Sequence, residues 1–436
     1  MVGLAKKCND PFPTIIFDRS TGRRPDVIQT RVLYRQTSRM VLQNTDWVIS
    51  SPHRKGITSL AIDLTEERFL LAGSSDATVS IYELSKWGRD QNSLSSINQY
   101  KPVAQSLRSI SHDRQEPTGH SSSIVSAEWY AFDTGAFVSG SSDGCVMVWD
   151  TQNMQPAVSW KPLNTISCLD LSKSSGRSES LIATGSNKDS MIKLVDIRSG
   201  AASHSLIGHS RGITTLQWCP KSDVILASGS HDGNVRLWDI RKAGSHSTVT
   251  ILNRDLSSPF PLRPFRSEYE HLRDKSTKTK QVGPNTYSDT YHVSSHDTSV
   301  ACLSFTPDGR YLLSYGSDRK LLMWDLSSTG HLITRQFSPP IGFSSMSNAL
   351  SPLIIQDKQI WLGVQSQVLV YSLEHGGLPV QILDGHLGRV TSLEFWKSGP
   401  MLFSGGKDGM ILTWKASSAA QITQKRMLRK RQRDDE

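Results

Sequence analysis

Five histidines in this chain are each followed six residues later by a small side chain, and further on by an aspartate that itself stands six residues ahead of an aromatic. The quartets are His53/Ser59/Asp76/Tyr82, His120/Ser126/Asp143/Trp149, His209/Thr215/Asp232/Trp238, His296/Cys302/Asp318/Trp324 and His386/Ser392/Asp408/Trp414. A unit of roughly 40 residues that repeats in this way, each copy built of short strands, predicts the blades of a closed propeller. The best-formed unit reads Ile213 to Trp218, Ile225 to Gly229, the turn Ser230-His231-Asp232-Gly233, and Val235 to Asp239. Each run is apolar or alternating and is bounded by Gly, Asp or Pro, the mark of a strand, a turn and a strand.

The long intervals between histidines hold two weaker units. One is Ile166 to Leu171, Leu181 to Gly185 and Ile192 to Asp196; the other shows Gln359 to Gly363 and Gln367 to Tyr371. The expected fold is therefore all-β, a seven-bladed propeller over residues 46–415, with a short helical segment in 1–45 and a disordered basic tail in 416–436. Residues 85–119 and 243–295, rich in Ser, Pro and mixed charge, read as mobile insertions. An unpaired strand between the first and last blades would leave a sheet edge exposed, so residues 46–51 are expected to pair near Met410 to Trp414 and close the ring.

Composition excludes several classes. With 37% hydrophobic and 20% charged residues, and no apolar run long enough for a membrane span or a signal peptide, the chain reads as a globular protein that meets no membrane. Five cysteines at irregular spacing include no CxxC pair, so neither a disulfide framework nor a zinc site is expected. The net charge of +9 comes from the first 50 residues, from 243–295 and from the tail, which leaves the blades neutral and argues against a specific nucleic-acid site on the ring.

Ser, His and Asp recurring together resemble hydrolase chemistry, and Gly140-Ser141-Ser142-Asp143-Gly144 fits a GxSxG pattern. That pattern acts as a nucleophile elbow only between a strand and a helix, whereas here two strands flank it. A structural network accounts for more. The histidine donates to the turn aspartate, the small hydroxyl of each quartet bridges, and the indole N–H closes the set, as in His120/Ser126/Asp143/Trp149, His209/Thr215/Asp232/Trp238 and His386/Ser392/Asp408/Trp414. Tyr82, Cys302 and Val195 mark blades where this network is expected to be incomplete. No P-loop, HExxH, EF-hand or GxGxxG pattern occurs, so no metal, cofactor or catalytic residue is expected.

Three features read as contact surfaces. Arg241 follows Asp239 just past a strand end, and Arg198 follows Asp196 in the same way one blade earlier, so both guanidinium forks are expected on one rim. Residues 11–42 carry apolar clusters around Ile15, Ile16, Phe17 and then Val27 to Leu33, a pattern of two small one-sided helices that pack on the propeller or dock into a partner. Lys425, Arg426, Arg429, Lys430 and Arg431 form a basic block that fits nuclear import.

The repeat identifies the WD-repeat family. A narrower likeness appears in Trp129-Tyr130 with Asp133-Thr134-Gly135-Ala136-Phe137, in Asp196 to Gly200, and in Trp218 to Pro220 through Trp238-Asp239-Ile240-Arg241-Lys242, which resemble the Cockayne syndrome group A family. The resemblance implies a non-catalytic substrate receptor of a cullin-4 RING ubiquitin ligase, acting in transcription-coupled nucleotide excision repair and located in the nucleus. It also implies that Asp239, Arg241, Asp196, Arg198 and the leading segment with Ile15, Ile16, Phe17 and Arg19 contact the large subunit of the damaged-DNA-binding protein, the linker to cullin-4 and its RING subunit. The opposite face would receive the repair-coupling ATPase and stalled RNA polymerase II. Against the family, the tail is basic where relatives are acidic. The alternative reading is a nuclear WD scaffold of a chromatin or RNA-processing complex.

Overall fold

The computed structural model describes residues 42–49, 51–84, 104–105, 119–173, 181–242, 248–252, 294–326, 331–337, 352–356, 358–399 and 401–416. They form seven four-stranded antiparallel sheets, and among these residues there is no α-helix. The first strand of each blade is innermost; blade four runs Ile213–Trp218, Ile225–Ser230, Val235–Asp239 and Thr248–Leu252 outward.

The ring is held by seven apolar clusters, one at each junction between neighbouring blades. Between blades three and four, Ala183, Ile192 and Leu194 pack against Leu226 and Trp238; between blades seven and one, Phe403 and Ile411 pack against Ile57, Leu70 and Tyr82. Period-two alternation explains this, because each strand turns one set of side chains to the preceding blade and the other set to the following blade. Burying the indoles of Trp149, Trp238, Trp324 and Trp414 completely makes these seams the main apolar stabilisation of the fold.

The last blade closes as expected, with a longer strand than expected. Leu42–Ile49 pairs antiparallel with Ile411–Ala416, from Leu42 opposite Ala416 to Ile49 opposite Ile411, with a bulge between Asn44 and Val48. Across the same seam, Trp396 Nε1 donates to the Glu67 carbonyl at 2.9 Å, and the Ser398 amide donates to Glu67 Oε2 at 2.8 Å. Both ends of the ring are thus tied into blades seven and one.

The two segments read as insertions also carry propeller strands. Ala104–Gln105 is the outer strand of blade one, and Thr248–Leu252 is the outer strand of blade four, with Leu252 fully buried. Outer strands face solvent on one side, so they lack the apolar run that marks the inner three. Cys168, Cys219 and Cys302 are buried, and burial raises each thiol above its ordinary value, as expected of cysteines serving as small hydrophobes.

Candidate functional site

Antiparallel connectivity sorts the loops. In every blade the turn between strands two and three shares one end of the ring with the entry to strand one, and the other two connections lie at the opposite end. The histidines and turn aspartates occupy the first end; Asp196, Arg198, Asp239 and Arg241 occupy the second.

At the first end, four blades carry a complete buried network. In blade four, His209 Nδ1 lies 2.9 Å from Asp232 Oδ2, His209 Nε2 lies 2.7 Å from Ser228 Oγ, and Trp238 Nε1 donates to the same hydroxyl at 2.7 Å. Blades two, five and seven repeat it through Ser139, Ser314 and Ser404. The proton directions follow from the donors. An indole can only donate, so the serine oxygen accepts; its hydroxyl then donates to Nε2, which fixes the Nδ1–H tautomer that donates to the aspartate.

This corrects the expected membership. The bridging hydroxyl is on the second strand, and Ser126, Thr215 and Ser392 on the first strand are outside the network. Thr215 stands opposite Gly229, one residue beyond Ser228, so the pleat turns it toward blade five while the network faces blade three. A Cβ on Gly229 would come within 2.8 Å of Thr215 Cγ2, which explains why both positions are small. Cys302, opposite Tyr315, is likewise outside the network, so blade five is complete rather than softened. Blade one is incomplete: Ala72 fills the serine position opposite Leu60, His53 Nδ1 bonds to Thr78 Oγ1 at 2.7 Å, and His53 Nε2 has no hydrogen-bond partner among the described residues. Blade three has Val195 where the indole would be, again as expected.

Burial acts to raise the Asp232 carboxyl, but hydrogen bonds from His209 and from the Asn234 and Ser210 amides override it and hold the group well below the usual carboxylate range. Asp143, Asp318 and Asp408 are depressed in the same way. A carboxyl whose folded value lies below its unfolded value of about 3.9 stabilises the fold above that pH, and the contribution is lost as pH falls through the folded value. The melting temperature of the purified chain is therefore expected to drop steeply below about pH 4, and Asp232→Asn should flatten that drop in a pH series of thermal melts.

The second end holds the paired acid and arginine. Arg241 Nε and Nη2 bond to Asp239 Oδ1 and Oδ2 at 2.9 and 2.7 Å, with the guanidinium 63% exposed and the carboxylate 7% exposed. The Arg241 hydrogen bond holds Asp239 below the usual carboxylate range. One edge of the fork is thus taken by its own chain, and the outer edge remains for a partner, pre-oriented. Arg198 is presented differently: its amide and the Ser199 hydroxyl bond Asp196 at 3.0 and 2.9 Å, and Gly200 closes the turn at φ +66. A Cβ there would overlap Trp160 Nε1 in blade two, so this turn admits only glycine.

Two further arginines stand at the same end. Arg68 bonds Glu83 Oε1 at 3.1 and 2.7 Å, and Arg310 Nη2 lies 3.5 Å from Asp325 Oδ2. The acidic residue after the Tyr or Trp of strand three was readable in the sequence; its arginine, reaching from the start of strand two, was not. Ile15, Ile16, Phe17 and Arg19 lie outside the described residues, as do Lys425, Arg426, Arg429, Lys430 and Arg431. The Gly140 to Gly144 turn joins Ala136–Ser141 to Val146–Asp150, so it is a strand-to-strand turn and not a nucleophile elbow. No group of three or more His, Cys, Asp or Glu among the described residues has metal-binding geometry.

The family described as WD domain, G-beta repeat matches residues 112–150, 200–239, 288–325 and 377–415. These contain the residues of all four complete networks. The chain thus carries WD repeats. Of its relatives, WD repeat-containing protein ATCSA-1 of Arabidopsis thaliana is 29% identical over 92% of this chain and 94% of its own. Nuclear distribution protein PAC1 of Arthroderma otae is 24% identical over 66% of this chain and 64% of its own. Histone acetyltransferase type B subunit 2 of Debaryomyces hansenii is 31% identical, but over 44% of this chain and 41% of its own. The first likeness spans nearly the whole chain; the last spans less than half of it.

Proposed function

We propose that this chain is a non-catalytic substrate receptor of a cullin-4 RING ubiquitin ligase, acting in the nucleus in transcription-coupled nucleotide excision repair and the DNA damage response. The observation that carries the reading is the Asp-x-Arg pair repeated at the same rim in blades three and four, within a chain similar to ATCSA-1 along nearly its whole length. In this reading Arg241 and Arg198, with the leading segment that contains Ile15, Ile16, Phe17 and Arg19, contact the large subunit of the damaged-DNA-binding protein, which brings cullin-4 and its RING subunit. Leu42 pairs with Ala416 at the end of a third strand, so the first described residue lies at the arginine end of the ring.

The other end is then turned to the clients, the repair-coupling ATPase and stalled RNA polymerase II. The tail block from Lys425 to Arg431 supplies nuclear import. A nuclear scaffold of a chromatin or RNA-processing complex is the second reading, favoured by the likeness to the histone acetyltransferase subunit. Affinity purification of the tagged chain from nuclear extract separates the two. Cullin-4 and its linker among the subunits identified by mass spectrometry is the expected result, and histone-modifying or RNA-processing subunits without cullin would replace the first reading with the second.

A further inference from the structure

Neutral blades do not mean neutral faces. At the end of the ring opposite Arg198 and Arg241, the seam between blades seven and one carries the exposed Arg54, Lys55 and Lys407 together with two apolar side chains, Leu387, which is 87% exposed, and Met410, which is 38% exposed. The loops that carry them touch directly. A Cβ on Gly56 would meet the Lys407 backbone at 2.7 Å, one on Gly409 would meet the Lys55 carbonyl at 3.1 Å, and the Lys407 amide donates to the Arg389 carbonyl at 2.7 Å.

The loops 51–56, 75–78, 385–389 and 407–410 contain no carboxylate except Asp76 and Asp408. Both of those point inward, with side chains 11% and 8% exposed. They also fix the patch: Asp76 Oδ2 accepts the Arg54 amide at 2.9 Å and Asp408 Oδ2 accepts the Leu387 amide at 3.0 Å. Leu387 is thereby held out in water by a backbone that the buried network anchors. A side chain of this size so fully exposed on loops that also carry exposed cations calls for a covering group, since solvated leucines at fixed positions with charged rims mark contact sites.

We propose that this seam is a docking site for an acidic peptide segment of another protein that carries an aliphatic anchor, with Leu387 and Met410 receiving the anchor and Arg54, Lys55 and Lys407 pairing with the flanking carboxylates. A phosphate backbone complements the charge but has nothing apolar to place on Leu387, and the patch has no aromatic ring on which a base could stack. An acidic segment with a leucine or similar residue satisfies both the charges and the apolar centre. The site is at the far end of the ring from the arginine rim, so it holds whether or not the chain joins a ligase.

The test is a fluorescence-anisotropy titration of the full-length chain with three probes: a labelled peptide of repeated Glu-Glu-Leu units, one of Glu-Glu-Ser units, and single-stranded oligothymidine. The Glu-Glu-Leu peptide should bind tightest. Arg54→Glu with Lys407→Glu should weaken it at least about tenfold, and Leu387→Ser should weaken it severalfold while leaving the Glu-Glu-Ser titration unchanged. All variants keep the basic tail, so capture by the tail would appear as peptide affinity unchanged by the double substitution, which would overturn the proposal. Oligothymidine binding tighter than the leucine peptide, or no binding of either peptide by a chain whose circular dichroism is that of the folded ring, would overturn it as well.

Discussion

Ser228→Ala is expected to destabilise the propeller by about 2 to 6 kcal/mol, because one deleted oxygen leaves two buried groups without partners at about 1 to 3 kcal/mol each. The Trp238 indole N–H and His209 Nε2 both bond to that single hydroxyl, and Ser228 and Trp238 are fully buried. No water replaces it without room, and the site is packed between blades three and four. Thr215→Ala, at the position suggested by the constant six-residue spacing, should cost about 1 kcal/mol, a packing loss against Gly229 with no orphaned polar group. Urea denaturation of the two variants checks this. Equal losses, or a larger loss for Thr215→Ala, would place the bridge where the spacing alone suggested it.

Why the spacing misled is physical. The interval from His to the first-strand residue is constant because that residue must be small beside the glycine of strand two, as Ser392 is beside Gly405. The true bridging serine follows its histidine by 19 residues in blades two and four and by 18 in blades five and seven, so no fixed period draws the eye to it. A pleat turns neighbours to opposite faces, and only the register of the pair reveals that Ser228 shares a face with Trp238 while Thr215 does not.

Other parts of the fold were legible for equally concrete reasons. Strands two and three of the blades are largely buried on both faces and read as apolar runs, and the closing strand near Val48 was foreseen from the need to remove a free edge, whereas the short first strand of blade six, Leu353–Gln356, was not read. Outer strands such as Ala104–Gln105 were hidden inside polar stretches. The Asp239 and Arg241 pair was visible as residues, but not its bidentate geometry, and the cationic seam around Leu387 was invisible. Net charge sums over faces that only the topology separates.

Arg241→Ala is expected to weaken binding to the large subunit of the damaged-DNA-binding protein by about 30-fold or more, as for a central interface arginine. Asp239 already fixes the guanidinium plane, so the ordering cost of binding is small in the native chain and returns in the variant. Arg241→Lys should recover little, because an ammonium cannot bridge Asp239 through two parallel bonds while facing a partner. Thermal melts of both variants should show only a small drop, since the side chain is solvent-exposed and Asp239 keeps the hydrogen bond from the residue 241 amide. A parallel series at Arg68, whose fork is engaged by Glu83 at the same end, tests whether the contact is specific to blades three and four.

The most direct measurement is an isothermal titration of the purified full-length chain with that linker subunit, run beside the Arg198→Ala/Arg241→Ala variant. The receptor account predicts saturable one-to-one binding for the native chain, and at least about a 30-fold loss for the double variant. Absence of binding by a folded native chain, or native affinity in the double variant, would contradict it.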